Sequence, residues 1–373
     1  MKKILYVVST LSKCGPTNQL LNIVKNLNSD KFFGHVLTLS DEPVDSLKPL
    51  FDAHDIKVTS LSLTRLQGLF SAKKQLKEFI SEFNPDLIHS QGFRADRLVS
   101  SLTLTHGKFK VCTIRNFPQL DLCMEYGKIY GGILAALHFR SMRNFNYVVG
   151  VSEAVTENIR TQMGLENLVT IQNGVDTDRF KKLSGQTRDQ VRHQLGIQTS
   201  DKVFISSGPL INRKNPELLV KAFLKRSAHE HLVLIGDGEL RTKLLQLADG
   251  RANIHLLGAV DDVNMYLNCA DYYISASSAE GLPNAVIEAM ACGLPSVLSQ
   301  IEPHEEVVKF DKSSSSTFEL NCSDALDKAI DGIMGRDYTT SSNASLEIVN
   351  KHLTAIVMSN KYQSLYHKNL KDS

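Results

Sequence analysis

No stretch of this 373-residue sequence approaches the roughly 18 consecutive apolar residues that a membrane-crossing helix requires. The apolar start, Ile4 to Val8 behind Lys2 and Lys3, imitates a signal peptide, but it stops at Ser9-Thr10 and Lys13 follows at once. That is too short for the apolar core of a leader, so the segment reads as a first buried strand and the expectation is a soluble, cytoplasmic protein. A C-x-x-C pair is also missing. Cys14, Cys112, Cys123, Cys269, Cys292 and Cys322 stand far apart, several in apolar surroundings, which excludes a zinc framework or disulfide scaffold and fits reduced thiols. Excess charge of one sign is lacking too: 42 Lys and Arg face 40 Asp and Glu, too even for nucleic acid to be the main partner. Tryptophan is absent from an otherwise ordinary globular composition, 42% hydrophobic and 22% charged. No G-x-G-x-x-G follows the first strand, which argues against a dinucleotide-dependent oxidoreductase.

What is present is alternation. Short Val/Ile/Leu-rich runs are separated by segments of helical period, the pattern of βαβ units around parallel sheets. Strands are expected over 3–8, 34–39, 57–61, 86–90, 110–114 and 146–151, then over 202–206, 231–236, 253–258, 272–276 and 295–298. Helices are expected at 17–28, 215–226, 237–248 and 283–292, and a terminal helix over 345–370; the serine run Ser313 to Ser316 reads as a loop. Between the two series, Asn173-Gly174 is a turn signal followed by a polar stretch. The fold class is therefore α/β, with two doubly wound Rossmann-like domains facing across a cleft. The expected boundaries are 1–175, 176–344 and a terminal helix in 345–373 that packs back on the first domain. Such sheets bind ligands beyond the carboxyl ends of their strands.

Charge divides unevenly. Residues 1–170 carry about +5 and the remainder about −3. The basic half suits an anionic membrane surface or a phosphate-bearing acceptor, and scattered solvated charge explains it equally. Within it, Tyr130 to Arg143 reads either as a core-facing helix or as one lying on a membrane, with Ile133, Leu134 and Leu137 toward lipid.

The stretch Ser275 to Met290 follows a strand and opens a helix. A helix start offers backbone N–H groups and partial positive charge to an anion, and Gly281 lets the backbone approach it. Glu280 and Glu288 flank Asn284, and two carboxylates so spaced can accept hydroxyls from a sugar and a ribose joined by a diphosphate. The plainer alternative is that Glu280 favours the helix dipole and Glu288 is an exposed helix residue. Asp176-Thr177-Asp178 matches an Asp-x-Asp metal motif, but two carboxylates in a linker make a thin site, and no metal is expected.

The run E-G-L-P-N-A-V-I-E-A-M-A-C-G-L-P over 280–295 resembles the donor signature of glycosyltransferase family 4, whose fold is GT-B. Val148 to Ser152, Asn173 to Asp176, Leu234 to Leu240 and Ala270-Asp271 resemble other family segments in the same order. The resemblance implies a retaining, metal-independent transferase that uses a nucleotide-sugar, a UDP- or GDP-sugar, as substrate and needs no cofactor. It places Glu288 on the ribose, and Glu280 with Gly281, Leu282, Pro283 and Asn284 on the donor sugar. Lys214 matches the family lysine that meets the leaving diphosphate, but Pro209 stands where an arginine is usual, so Arg213 is the candidate to supply the charge, beside Gly208. Only Gly15 remains of the glycine pair after the first strand. His89 resembles a family histidine with a catalytic role, a buried structural histidine being the alternative. Arg115-Asn116 replaces a sugar-contacting histidine, and Arg94, Asp96 and Arg115 are acceptor candidates. Relatives of this layout build bacterial surface polysaccharides on a lipid carrier, which implies a sugar or lipid-linked sugar acceptor and peripheral contact with the inner face of the membrane. Pro209, the single Gly15 and Arg115-Asn116 motivate one alternative, a non-catalytic GT-B subunit binding a nucleotide or a protein; the presence of Glu280, Glu288 and Lys214 opposes it.

Overall fold

The computed structural model describes residues 1–64, 71–103, 108–322 and 324–371. The chain forms two units, Met1–Gly174 with Ala355–Ser373, and Val175–Thr354. Each is built on a wholly parallel sheet.

In the first unit the sheet order is β3-β2-β1-β4-β5-β6-β7. The strands are β1 Lys2–Val8, β2 Phe32–Thr38, β3 Lys57–Ser60, β4 Leu87–Gln91, β5 Phe109–Ile114, β6 Tyr147–Gly150 and β7 Leu168–Thr170. The central strand β1 pairs Leu5 with His35 on one side and Ile88 on the other, and Ile4 to Val8 are all buried. A continuous apolar run suits a strand covered on both faces, which is why it was readable. The helices are α1 Gly15–Lys25, α2 Lys48–Asp52, α3 Ala72–Phe83, α4 Phe93–Ser100, α5 Pro118–Tyr126, α6 Lys128–Met142 and α7 Glu153–Met163. Pro16 sits in the first turn of α1, where its missing N–H is not needed, and Leu20, Leu21, Ile23 and Val24 enter the core.

The second unit has the order β10-β9-β8-β11-β12-β13. Its strands are β8 Lys202–Ser207, β9 Glu230–Ile235, β10 Ile254–Gly258, β11 Tyr272–Ser275, β12 Ser296–Ser299 and β13 Ser315–Phe318. Its helices are α8 Gly185–Gln194, α9 Pro216–Phe223, α10 Arg241–Ala248, α11 Val263–Leu267, α12 Asn284–Ala291, α13 Glu302–Val308, α14 Ala325–Met334 and α15 Tyr338–Ile348. Arg192 is fully buried here; it donates to the carbonyls of Cys269 and Asp201 and to Asp271, which also accepts from Arg188 and from the Val203 amide.

Three sequence expectations need correction. The serine run is no loop: Ser315 to Phe318 is edge strand β13, paired in register with Ser296 to Ser299. Strand β7 was not foreseen at all. The helix expected over 345–370 is broken: α15 ends at Ile348, a π-turn spans Val349–Leu353, and Thr354 is extended before α16, Ala355–Lys371. The break exists because the Leu353 carbonyl accepts the Val175 amide at 2.8 Å instead of continuing a helix.

Helix α16 belongs to the first unit, where Tyr362 and Tyr366 are fully buried. A chain of hydrogen bonds ties it to the sheet. The Tyr366 hydroxyl lies 2.7 Å from His89 Nδ1, His89 Nε2 lies 2.8 Å from Thr113 Oγ1, and that oxygen lies 2.9 Å from the Tyr362 hydroxyl.

Candidate active site

In the second sheet the chain runs outward from β8 to β9 and β10, then crosses back to place β11 on the other side of β8. The β8/β11 pair is thus a topological switch point, the position where open α/β sheets bind ligands. The loops leaving these strands carry the candidates. After β8, Gly208 turns with φ +138° and the chain enters a short 3-10 turn, Asn212–Lys214. After β11, residues 276–283 lead into α12.

These two loops are bonded together. The Ser278 amide donates to the Arg213 carbonyl at 2.8 Å, and Arg213 Nη1 donates to the Ala279 carbonyl at 2.6 Å. The result brings both cations onto Glu280: Lys214 Nζ lies 2.5 Å from one carboxylate oxygen and Arg213 Nη1 3.1 Å from the other. Glu280 is only 6% exposed. Burial would raise its pKa, but Lys214 and Arg213 outweigh that and hold the carboxyl below its ordinary value. Glu280 is therefore an ionised, caged group rather than a helix-end ornament.

Glu288, half-buried on α12, behaves in the opposite way. Burial pushes its pKa up to about 7 against the pull of Arg179 and Lys214. One carboxylate locked in its charged form and another poised near neutrality share one helix start. Pro283 is the residue before α12, slightly earlier than the first helical position expected, and among the described residues no side chain caps that helix. Gly281, Leu282 and Pro283 are buried beside it, with Asn284 partly so. A small cavity of about 20 Å³ lies alongside, lined by Ser206, Ser207, Gly208, Lys214, Tyr273 and Ser277.

Gly236, at the end of β9, supports this loop from behind. With φ +132°, an added Cβ would lie 1.9 Å from the Gly208 carbonyl oxygen. Only glycine permits that approach. Pro209 is exposed and carries no charge, while the Arg213 guanidinium of the same loop reaches Glu280.

Two residues at the site escaped the sequence reading. His304 on α13 is fully buried, with Nδ1 2.9 Å from the Ser299 carbonyl; burial pushes its pKa down to about 4, opposed by Glu280. Arg179 acts on Glu288. His304 stands five residues beyond the end of β12, so the carboxyl-edge rule itself could have singled it out; nothing in the sequence pointed to Arg179.

The first-unit candidates separate into two kinds. Arg115, at the end of β5, donates to Asn173 Oδ1 at 2.8 Å and Gln91 Oε1 at 2.7 Å, while its Nε has no partner among the described residues. Burial works against its charge, and Cys14 is among the groups that support it, so Arg115 neighbours the turn where Gly15 starts α1. That turn follows β1, the strand at this sheet's own switch point beside β4. Arg94 donates to Ser40 Oγ at 2.6 Å, and its Nη2 has no partner among the described residues.

His89 and Asp96 are enclosed instead. Both are fully buried. Both His89 ring nitrogens are engaged, and burial, with Arg115 adding to it, pushes its pKa down to about 3. Asp96 accepts from Ser90 Oγ at 2.6 Å and faces His138 Nε2 at 2.9 Å. Neither has surface from which to touch a substrate in this conformation, so the geometry matches the structural alternative for His89 and does not offer Asp96 to an acceptor. Asp176 accepts the Asp178 amide in a local turn. Among the described residues no group of three or more His, Cys, Asp or Glu is placed to hold a metal ion, and no helix is long and apolar enough to cross a membrane.

The family description Glycosyltransferase Family 4 matches residues 15–179, and Glycosyl transferases group 1 matches residues 201–335, one in each unit. The chain belongs to glycosyltransferase family 4. As a whole this glycosyltransferase is 26% identical over 372 residues to the O-antigen biosynthesis glycosyltransferase WclY of Escherichia coli, covering 98% of both chains. It is 30% identical over 172 residues to the Escherichia coli UDP-Gal:alpha-D-GlcNAc-diphosphoundecaprenol alpha-1,3-galactosyltransferase, 43% of either chain. Among solved structures, Anabaena Alr3699/HepE in complex with UDP aligns with TM-score 0.84 at 18% identity, over 99% of this chain and 100% of that one. The fold of this transferase is that of the GT-B enzymes, two Rossmann-like sheets of seven and six strands.

Proposed function

We infer that this glycosyltransferase moves a sugar, with retention, from a nucleoside-diphosphate sugar to a hydroxyl of a lipid-linked saccharide during surface-polysaccharide assembly. One observation carries the donor half: Glu280 caged by Lys214 and Arg213 at the switch point, with Glu288 one helix turn beyond Asn284. A diphosphate entering there would meet two cations and the start of α12, groups that favour the charge developing as the sugar–phosphate bond breaks. Glu280, released from part of its cage as Lys214 turns to the phosphates, would accept hydroxyls of the donor sugar. Glu288 would take the ribose hydroxyls. Gly208, with its open backbone, leaves room for the diphosphate next to Lys214. HepE was solved with UDP, which makes a uridine donor the first to try. The acceptor half draws on the WclY and diphosphoundecaprenol relatives and on Arg115 and Arg94, whose unpartnered N–H groups suit a phosphate-bearing acceptor. No step of this scheme calls on a metal ion.

Thermal unfolding against UDP, GDP, ADP and CMP, with and without EDTA, tests it. Ligand at about 100 times its dissociation constant adds roughly 2.7 kcal/mol, several degrees for a domain of this size. The expected result is a shift with one nucleoside diphosphate, indifferent to EDTA and lost in Glu288→Ala. Silence across the panel, from protein that still melts cooperatively, would favour the non-catalytic subunit.

A further inference from the structure

The switch point of the second sheet carries more hydroxyls than a buried strand pair needs. Interior strands of parallel sheets are normally apolar, yet β8 ends in Ser206-Ser207, and β11 contributes Tyr273 and Ser275 with Ser277 just beyond. All five border the cavity of about 20 Å³ beside Lys214. Tyr273 pairs with Ile205, two residues before Ser207, so the Tyr273 and Ser207 side chains share one face of the sheet. A buried hydroxyl left unbonded costs free energy, so the partner of each matters. Ser275 and Ser277 meet each other at 3.1 Å, and Ser277 also bonds Glu280. Tyr273 and Ser207 are left over. The buried Tyr273 hydroxyl makes one long bond, 3.4 Å to the Ser207 carbonyl, and Ser207 Oγ has no hydrogen-bond partner among the described residues.

These two hydroxyls are available as donors. Burial raises the Tyr273 phenol well above its ordinary value, opposed by hydrogen bonding at Ser207, and Glu280 and Glu288 add to the rise, so the proton stays on. Both carboxylates act on this phenol, which puts it in the stretch between the sugar and ribose contacts, where a diphosphate must lie. Lys214 completes the wall, its ammonium 2.5 Å from Glu280 on the sugar side. A cavity of this size admits one oxygen-sized group, and two neutral donors beside an ammonium suit an anionic one. Pro209, on the same wall, has neither an N–H nor a charge to offer.

We propose that Tyr273 and Ser207 are further catalytic residues, donating hydrogen bonds to one oxygen of the donor's sugar-side phosphate; this rests on the donor site inferred in the preceding section. When the bond from the anomeric carbon to the phosphate oxygen breaks, its electron pair stays on the diphosphate. The acceptor oxygen bonds to the anomeric carbon, and its proton passes to the departing diphosphate. Negative charge therefore grows on the phosphate held in this notch. Donors fixed in place beforehand favour that state over the ground state, because they need not reorganise as the charge appears. Lys214 supplies the full charge, and the two hydroxyls supply direction where Pro209 supplies nothing.

The test compares the full chain with Tyr273→Phe, Ser207→Ala and Ser207→Thr. Each protein is melted without ligand, titrated with UDP and UMP and with GDP and GMP, and assayed for release of nucleoside diphosphate from a panel of UDP- and GDP-hexoses. Phe and Ala remove hydroxyls that lack a good partner in the free protein, so melting temperatures should stay within a few degrees of wild type. Affinity for the diphosphate should fall about tenfold in each, while affinity for the monophosphate, which has no second phosphate to lose, should hold. In the same two variants kcat should fall about tenfold or more with donor KM within a few-fold, the sign of an interaction made mainly in the transition state. Ser207→Thr keeps the hydroxyl and should keep the preference for diphosphate. Equal weakening of diphosphate and monophosphate, or unchanged diphosphate affinity and kcat, would overturn the proposal, since the hydroxyls would then only join β8 to β11. Should Tyr273→Phe fail to fold, the two Ser207 variants decide by the same readings. Wild type that binds neither UDP nor GDP would overturn the donor reading, and this one with it.

Discussion

Glu288 offers a sharp test of the donor site because its proposed task requires the charge that its surroundings oppose. With a pKa pushed up to about 7 by burial, it is about one-tenth ionised at pH 6 and about nine-tenths at pH 8. A carboxylate accepts two ribose hydroxyls; a protonated carboxyl must donate with one oxygen and binds worse. The donor's diphosphate diester keeps its charge over this range, so the dissociation constant of the nucleotide-sugar should fall about tenfold from pH 6 to pH 8. Binding near pH 7 should release about half a proton, visible in calorimetry as a heat that depends on the buffer. Glu288→Gln should bind weakly and without this slope. Stability runs the other way. The folded pKa is raised, so the stabilising contribution is the protonated one, complete below the unfolded value of 4.5 and lost as pH rises through about 7. At pH 8 the Gln variant should therefore be more stable than wild type, by up to about 3 kcal/mol, and the difference should vanish below pH 5. A donor affinity flat between pH 6 and 8, or an equal slope in the Gln variant, would refute the reasoning.

Three further outcomes follow from the geometry. Lys214→Ala should lower kcat by about 10²–10³, and Arg213→Ala by less; unchanged turnover in the latter would end its role as stand-in for the arginine missing at Pro209. Gly236→Ala should destabilise the second unit by about 3 kcal/mol or more, read in chemical denaturation, because its Cβ has no room beside the Gly208 carbonyl. His89→Ala should lower the melting temperature, costing about 3 kcal/mol from lost hydrogen bonds and packing, yet leave kcat at 25 °C within a few-fold; a collapse of kcat in protein of wild-type stability would restore the catalytic reading.

The sequence was most legible where one physical signal acts alone. Central strands such as β1 and β9 are buried on both faces and read as apolar runs. Edge strands are not: β7 has three residues, and β13 reads Ser-Ser-Thr-Phe, its polar side chains tolerated because a flank is open. The 280–288 block was visible because helix starts, glycine and proline leave local marks. Its partners were not, since the bonds from Arg213 and Lys214 to Glu280 join loops more than sixty residues apart. Local spacing also could not separate an enclosed histidine from a reactive one; only the return of Tyr362 and Tyr366 decides what surrounds His89.

That return gives the chain an order of assembly. The second unit is one continuous segment, 175–354, and holds all its strands before Ala355 is made. The first sheet, although synthesised earlier, waits for α16 to cover Tyr6 and His89. During synthesis the later unit can therefore close first, while the earlier one stays unsealed until α16 has left the ribosome, against the usual N-to-C sequence of domain folding. A stop codon near 355 would spare the second unit and strand the one that precedes it.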